Sequence, residues 1–302
     1  MRHGKYPFVT GFLIAPVTLY AIFVLSPYVQ TIRLSFHRWR GFTTPRWAGT
    51  ENFERMLQAD RFWQALGHHA VMLVFLPLLT IAIAVVFAFM LNVGGAGRGG
   101  RTAGVWGSTF YRVVFFLPQV LAIPVVAVLF ATVYRPDRSG LINGVLLRAG
   151  MDEPVGFLID RHLALPSIIA VLVWQAVGFY VVLFSAGMAN IPAEIYEAAE
   201  LDGASKVTVF FRITLPLLWD TIQTAWVYLG ILAFDAFAIV SVLAQDNGGP
   251  DGATTVLGLE IYNFMNMSRY GDATAYSVAL CVLSLVFAAF TLRVSRRETH
   301  EF

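Results

Sequence analysis

The sequence predicts an all-α, polytopic membrane protein with about six transmembrane helices. Three observations carry that prediction. Hydrophobic residues make up 57% of the 302-residue chain and charged residues only 13%, with a mean hydropathy of +0.66. Soluble domains average about 25% charged residues, so the polar side chains here would not clothe a water-exposed surface of this length. The charges are also clustered, which leaves long uncharged runs between the clusters.

A helix that crosses a bilayer needs about 20 mostly apolar residues. Six runs meet that need, at 8–31, 70–93, 113–134, 165–189, 217–243 and 273–292. The first lies between Lys5 and Arg33. It is too long for a signal-peptide core of about 7–15 residues, and no small-residue cleavage site follows, so it is expected to be a retained span. Pro16, Pro27, Pro77, Pro118 and Pro124 interrupt the runs. Such prolines are tolerated in membranes because neighbouring helices and polar groups re-satisfy the freed backbone. The first two are expected to kink or end their helix. Cys281, the single cysteine, sits in an apolar run, excludes an internal disulfide and reads as a packing residue. A net charge of +2 and a pI near 8.7 are too mild for a nucleic-acid partner and suit a protein with basic flanks in contact with lipid.

Charge alone does not orient the spans. With six spans both termini share one side, and placing that side in the cytoplasm gives ten basic residues inside and eleven outside. Six of the eleven (Arg33, Arg38, Arg40, Arg46, Arg55 and Arg61) belong to the first loop. Setting that long loop aside leaves ten against five, as the positive-inside rule expects, although its first three arginines lie close to a span end.

One polar stretch, "IPAEIYEAAELDGASKVTVFFRITLP", separates two of the most apolar runs. Pro192 suits a first helical turn, and Glu194 places negative charge where the helix dipole favours it. Ala193, Ala198 and Ala199 favour helix. Gly203 is a natural C-terminal cap, and Ser205 can cap a second short helix through Val209, Phe210 and Phe211. The residues therefore predict a helix–turn–helix bracket at the membrane face. On composition alone, two interfacial helices with a solvated face explain the stretch equally well.

The spacing of the stretch adds a family resemblance. Glu197-Ala198-Ala199, Gly203 four residues after the last alanine, and Ile213-x-Leu215-Pro216 resemble the EAA loop of ABC importer permeases. The surrounding "IPAEIYEAAELDGAS" is similar to the carbohydrate and glycerol-phosphate branch, related to maltose-type permeases. "WAGTENFERMLQADRFWQAL", "FLPQVLAIPVVAVLF" with "SGLIN", and "AFDAFAIVSVLAQDNGGPDGATTVLGLEIYNF" resemble its first outer loop, third span and fifth span with the following Gly-Gly-Pro loop. "GHHAVML" departs from the branch, where Asn-Thr is more usual, and leaves the contacts of His68 and His69 open.

The resemblance implies one permease domain over 1–302, with its core at 66–293. It implies a permease subunit of a bacterial importer for carbohydrates, an oligosaccharide first of all, in the cell membrane with both termini cytoplasmic. Glu197, Ala198, Ala199, Gly203, Ile213, Leu215 and Pro216 would form a coupling helix seated in a separate ATPase. The partners implied are a second homologous permease, two copies of the ATPase, an extracytoplasmic sugar-binding protein and membrane lipid, with no nucleic acid. No G-x-x-x-x-G-K-[S/T] occurs, so ATP and magnesium are expected on the ATPase and no cofactor on this chain. The same machine carrying glycerol phosphate, a polyol or a polyamine is the nearest alternative.

Sugars bind through aromatic faces and polar groups. Trp174, Gln175 and Tyr180 on the fourth run, and Trp226, Tyr228 and Asp235 on the fifth, offer that mixture, although aromatic residues in membranes mostly pack or sit at interfaces. Asp235 lies inside a span, where a carboxylate is costly and faces either a cavity or a structural partner. Asp235 with Asp272 also admits an intramembrane aspartyl protease, but Arg269 occupies a place that such motifs give to glycine. "GAGRGG" formally matches a dinucleotide loop without the required strand and helix. No metal-ligand spacing is present.

Overall fold

A computed structural model of the chain describes residues 5–41, 43–93, 107–244 and 247–294. Helices dominate, in the order α1 (Lys5–Tyr20), a π-helical turn (Ala21–Leu25), α2 (Ser26–Ser35), α3 (Glu51–Gln58), α4 (Asp60–Asn92), α5 (Ser108–Val120) and α6 (Ile123–Val133). There follow α7 (Leu141–Arg148), α8 (Ala164–Ala189), α9 (Ala193–Leu201) and α10 (Lys206–Val209). A second π turn (Phe210–Thr214) leads into α11 (Leu215–Leu217), α12 (Trp219–Phe234), α13 (Phe237–Leu243), α14 (Leu257–Asn266) and α15 (Tyr270–Val294). Between α2 and α3 lies a small hairpin of β1 (His37–Arg38) and β2 (Arg46–Trp47), pairing His37 with Trp47 and Arg38 with Arg46.

Among the described residues four helices are long and apolar enough to cross a membrane unaided: Gly11–Ser35, Asp60–Asn92, Ala164–Ala189 and Tyr270–Arg293. Two bent pairs raise the count to six, as the composition predicts. The third expected span, 113–134, is not one rod: α5 and α6 meet at 97°. Pro118 and Pro124 remove two backbone donors there, and Leu121 and Ala122 turn extended with ψ near 136° and 137°. The fifth, 217–243, breaks as well. The helix from 206 to 217 bends by 69° into α12, and α12 stops at Asp235 before α13 begins. The second span starts earlier than expected, at Asp60, giving α4 a length of about 50 Å and a polar first turn outside the apolar run. The "GAGRGG" segment lies outside the described residues.

The chain divides into two compact units. The first comprises Met1–Trp63 and Leu257–Leu283. In it, buried Asn52 donates to the carbonyls of Ser35 (2.7 Å) and His37 (3.0 Å), which fastens α3 beneath the end of α2. Arg55 joins Glu51 (2.6 Å) to Asp272 (2.8 Å), and Arg269 grips the other oxygen of Asp272 (2.9 Å). Arg61 pairs with buried Glu260 at 2.9 Å. The bond from Arg38 holds the Glu51 carboxyl below the usual carboxylate range, so its support is present near neutral pH and lost as pH falls from that range through the lowered pKa beneath it.

The second unit comprises Gln64–Val256 and Ser284–Phe302, and α8 is its most buried helix. A Cβ on Gly178 would collide with the Phe115 carbonyl, so glycine is what lets α5 lie on α8. Gly187 admits Leu218 and Thr221 from the start of α12 in the same manner. Gly178→Val should force α5 off α8, an overpacking that costs about 1–3 kcal/mol or more. Detergent-solubilised protein should then melt several degrees earlier, or fail to accumulate; an unchanged melting curve would mean that the contact is absent.

Candidate functional site

The polar stretch folds into an elbow built from local signals. Pro192 caps α9 from just before its first turn, with φ −55° and ψ 134°, rather than entering it. At the other end the Gly203 N–H bonds the Glu200 carbonyl (3.0 Å) and the Ala204 N–H reaches back to Ala199 (2.9 Å). This double closure needs a left-handed residue, and Gly203 supplies it at φ +73°. Ser205 then caps the next helix by accepting from the Thr208 N–H at 3.2 Å.

The two arms are also tied to each other. Tyr196 and Thr214, both buried, share a hydroxyl–hydroxyl bond at 3.4 Å, and burial pushes the Tyr196 phenol up from its ordinary pKa. Phe210 packs edge-on against Phe89 of α4, with ring centroids 5.0 Å apart. Ala199 turns inward, and Ile213 and Leu215 are half-buried. Glu194, Glu197, Ala198, Glu200 and Gly203 are exposed, as is Pro216, and Leu201 stands out at 90% exposure. The arrangement is a stiff bracket with an acidic, solvent-facing first arm. Its second arm runs without a loop into the bend before α12.

The six residues expected along a substrate path do not share one environment. Gln175 is buried, and its side-chain amide donates to the Leu121 carbonyl at 3.1 Å. That carbonyl is one of the groups freed by the break between α5 and α6. In this structure Gln175 therefore caps a broken span. Tyr180 is buried beside Phe184 and Phe179. Trp226 is half-buried. Trp174 is 41% exposed with its ring edge on Phe130, and Tyr228 is 60% exposed. Asp235 is not in the middle of a helix; it is the exposed C-terminal cap of α12, at φ −92° and ψ 26°.

The paired histidines have partners too. His69 is fully buried and meets the Ala233 carbonyl at 3.1 Å, two residues before the break at Asp235. His68 meets the Thr255 carbonyl at 2.7 Å, anchoring the loop after α13. A carbonyl only accepts, so Nδ1 carries the proton in both rings. In that loop Gly248, Gly249 and Gly252 all take positive φ, and a Cβ on Gly248 would strike the Thr255 hydroxyl. Asp272 has its two oxygens taken up by Arg55 and Arg269, a structural arrangement that does not suit a pair of acids sharing one proton. Among the described residues no three His, Cys, Asp or Glu side chains gather as a metal site.

Comparison with known proteins agrees with this architecture. Residues 70–300 match the family described as binding-protein-dependent transport system inner membrane component. The chain is 39% identical to a diacetylchitobiose uptake system permease protein of Streptomyces coelicolor, over 98% of this chain and 84% of the relative. It is 31% identical to a lactose transport system permease protein of Rhizobium radiobacter, over 95% and 94%. Among solved structures it is similar to a chain of a bacterial ABC transporter involved in the import of the acidic polysaccharide alginate. The TM-score there is 0.79 at 24% identity, covering 97% of this chain and 96% of that one, a likeness of fold. The chain thus belongs to the family of binding-protein-dependent transport system inner membrane components, the multi-pass permease subunits of ABC importers.

Proposed function

We propose that this chain carries a carbohydrate, an oligosaccharide first of all, across the cell membrane, driven by ATP that a separate subunit hydrolyses. The observation that carries the reading is the elbow at 193–217, which sets the EAA pattern on a rigid, exposed bracket continuous with α12. A carbohydrate cargo is supported by relatives named for diacetylchitobiose and lactose.

Glu197, Ala198, Ala199, Gly203, Ile213, Leu215 and Pro216 form the coupling segment. Its acidic arm seats in a groove of the ATPase, where Glu197 meets a basic group or a helix N-terminus. ATP and magnesium stay on that subunit. Closure of two ATPase copies pushes the bracket, and because its arms are tied by Tyr196 and Thr214, the push reaches α12 instead of being absorbed. The elbow and both termini are cytoplasmic in this reading. The second permease faces this one across the path, and Trp174, Tyr228 and Asp235 line it from this side. The outer segment at 248–270 receives the sugar-binding protein.

Glu197→Lys combined with Gly203→Pro reverses the charge of the acidic arm and asks proline for a φ of +73° that its ring forbids. Pull-down of this chain with its co-expressed ATPase should lose the ATPase and uptake should stop; intact capture and uptake would end the coupling assignment. Asp235→Asn and Gln175→Leu separate path from scaffold. The aspartate variant should accumulate normally with uptake lowered about tenfold or more, the mark of a group acting on the cargo. Gln175→Leu strands the Leu121 carbonyl at about 1–3 kcal/mol and should lower the yield of folded protein. The opposite pattern would exchange their roles. Uptake competition with a panel of oligosaccharides, glycerol phosphate, polyols and polyamines identifies the cargo class. Competition by the last three alone would refute a carbohydrate.

A further inference from the structure

Three of the six arginines of the first loop, Arg38, Arg40 and Arg55, gather with Arg269 into one pocket. Arg38, Arg40, Glu51, Arg55 and Arg269 surround an open space of about 420 Å³. Glu51 is shared by Arg38 and Arg55, and Asp272 by Arg55 and Arg269. Four guanidinium groups thus face two carboxylates, an excess of two positive charges. Arg40 has no carboxylate partner among the described residues.

The height of this pocket is set by two span ends. α2 ends at Ser35 and α15 begins at Tyr270. The chain between them is stitched by Gly41 N–H to the Ser268 carbonyl (2.9 Å) and Gly271 N–H to the Trp39 carbonyl (3.3 Å). The rings of Trp39 and Tyr270 lie 4.8 Å apart at the same level. Aromatic side chains at span ends mark the headgroup region of a bilayer. Below the pocket runs the Gly11–Ser35 helix, in whose most apolar window no residue is buried.

We propose that this pocket holds the phosphate of an anionic phospholipid, whose acyl chains lie along the Gly11–Ser35 helix. Guanidinium groups present parallel N–H donors that match phosphate oxygens two at a time, and several converge here where phosphates reside. Arg40 supplies the unpaired charge, while Arg38, Arg55 and Arg269 are already fixed by their carboxylates and add donors without reorganising. The position at the end of two spans favours a lipid over an acidic protein partner, which would be met farther from the bilayer. With the termini in the cytoplasm, the lipid belongs to the outer leaflet; its phosphate chemistry does not depend on that orientation.

The assembled transporter, carrying this chain as wild type, Arg40→Ala or Arg46→Ala, should be compared by native mass spectrometry with phosphatidylglycerol and with phosphatidylcholine. Arg40→Ala breaks no ion pair and should fold; Arg46 is exposed on β2, outside the pocket. The expected result is tight phosphatidylglycerol on the wild type and the Arg46→Ala protein, held about fivefold more weakly after Arg40→Ala. Equal retention of phosphatidylcholine, or equal weakening by Arg46→Ala, would overturn the site. Displacement of the lipid by millimolar inorganic phosphate would make it a free-anion pocket. An unchanged lipid count in Arg40→Ala with weakened capture of the binding protein would assign the pocket to an acidic partner instead.

Discussion

Hydrocarbon offers a peptide group no hydrogen-bond partner, so a span can break within it only where the protein answers the freed carbonyls and amides. That constraint governs this molecule. The third span turns through 97° at Leu121, and the fifth stops at Asp235. In each, a buried polar side chain on a neighbouring helix meets a backbone carbonyl: Gln175 of α8 at Leu121, and His69 of α4 at Ala233. α8 and α4, although Pro77 takes one backbone donor from the latter, present these side chains to their neighbours. The broken spans are therefore well-determined shapes, with ends that point in fixed directions.

Fixed ends are what a transmitted motion requires. The second arm of the elbow continues into α12 across a 69° bend, with Leu218 buried at the corner beside Gly187 of α8. The first arm hangs from α8 itself. A hydrogen bond between Tyr196 and Thr214 and the ring contact of Phe210 with Phe89 close the bracket onto the helices above it. No long loop intervenes at which displacement could dissipate.

What was legible in the sequence was local. Pro192, Gly203 and Ser205 sit beside the turns that they create, so the elbow's outline followed from neighbours in the chain. The six apolar runs were plain because hydropathy reports solvent preference. Hydropathy says nothing of direction, however, and the run at 113–134 gave no measure of the bend between Pro118 and Pro124. Asp235 read as a charge within a span because the two residues that end α12 and precede α13 are as apolar in context as their neighbours. The roles of Gln175 and His69 depend on carbonyls 54 and 164 residues away, and those of Tyr196 and Thr214 on a pairing across 18. The arginines of the first loop misled the charge count because half of them are consumed in ion pairs that only folding forms.

In the proposed function the elbow is a cytoplasmic handle for a motor subunit. Cys281 is the only cysteine, so a Cys281→Ser background with Leu201→Cys places a single reporter thiol on the most exposed corner of the bracket. Labelling by a membrane-impermeant maleimide should be absent in intact cells, appear in inside-out vesicles stripped of the ATPase, and vanish again when that subunit is restored. Labelling of intact cells, or labelling indifferent to the ATPase, would contradict it.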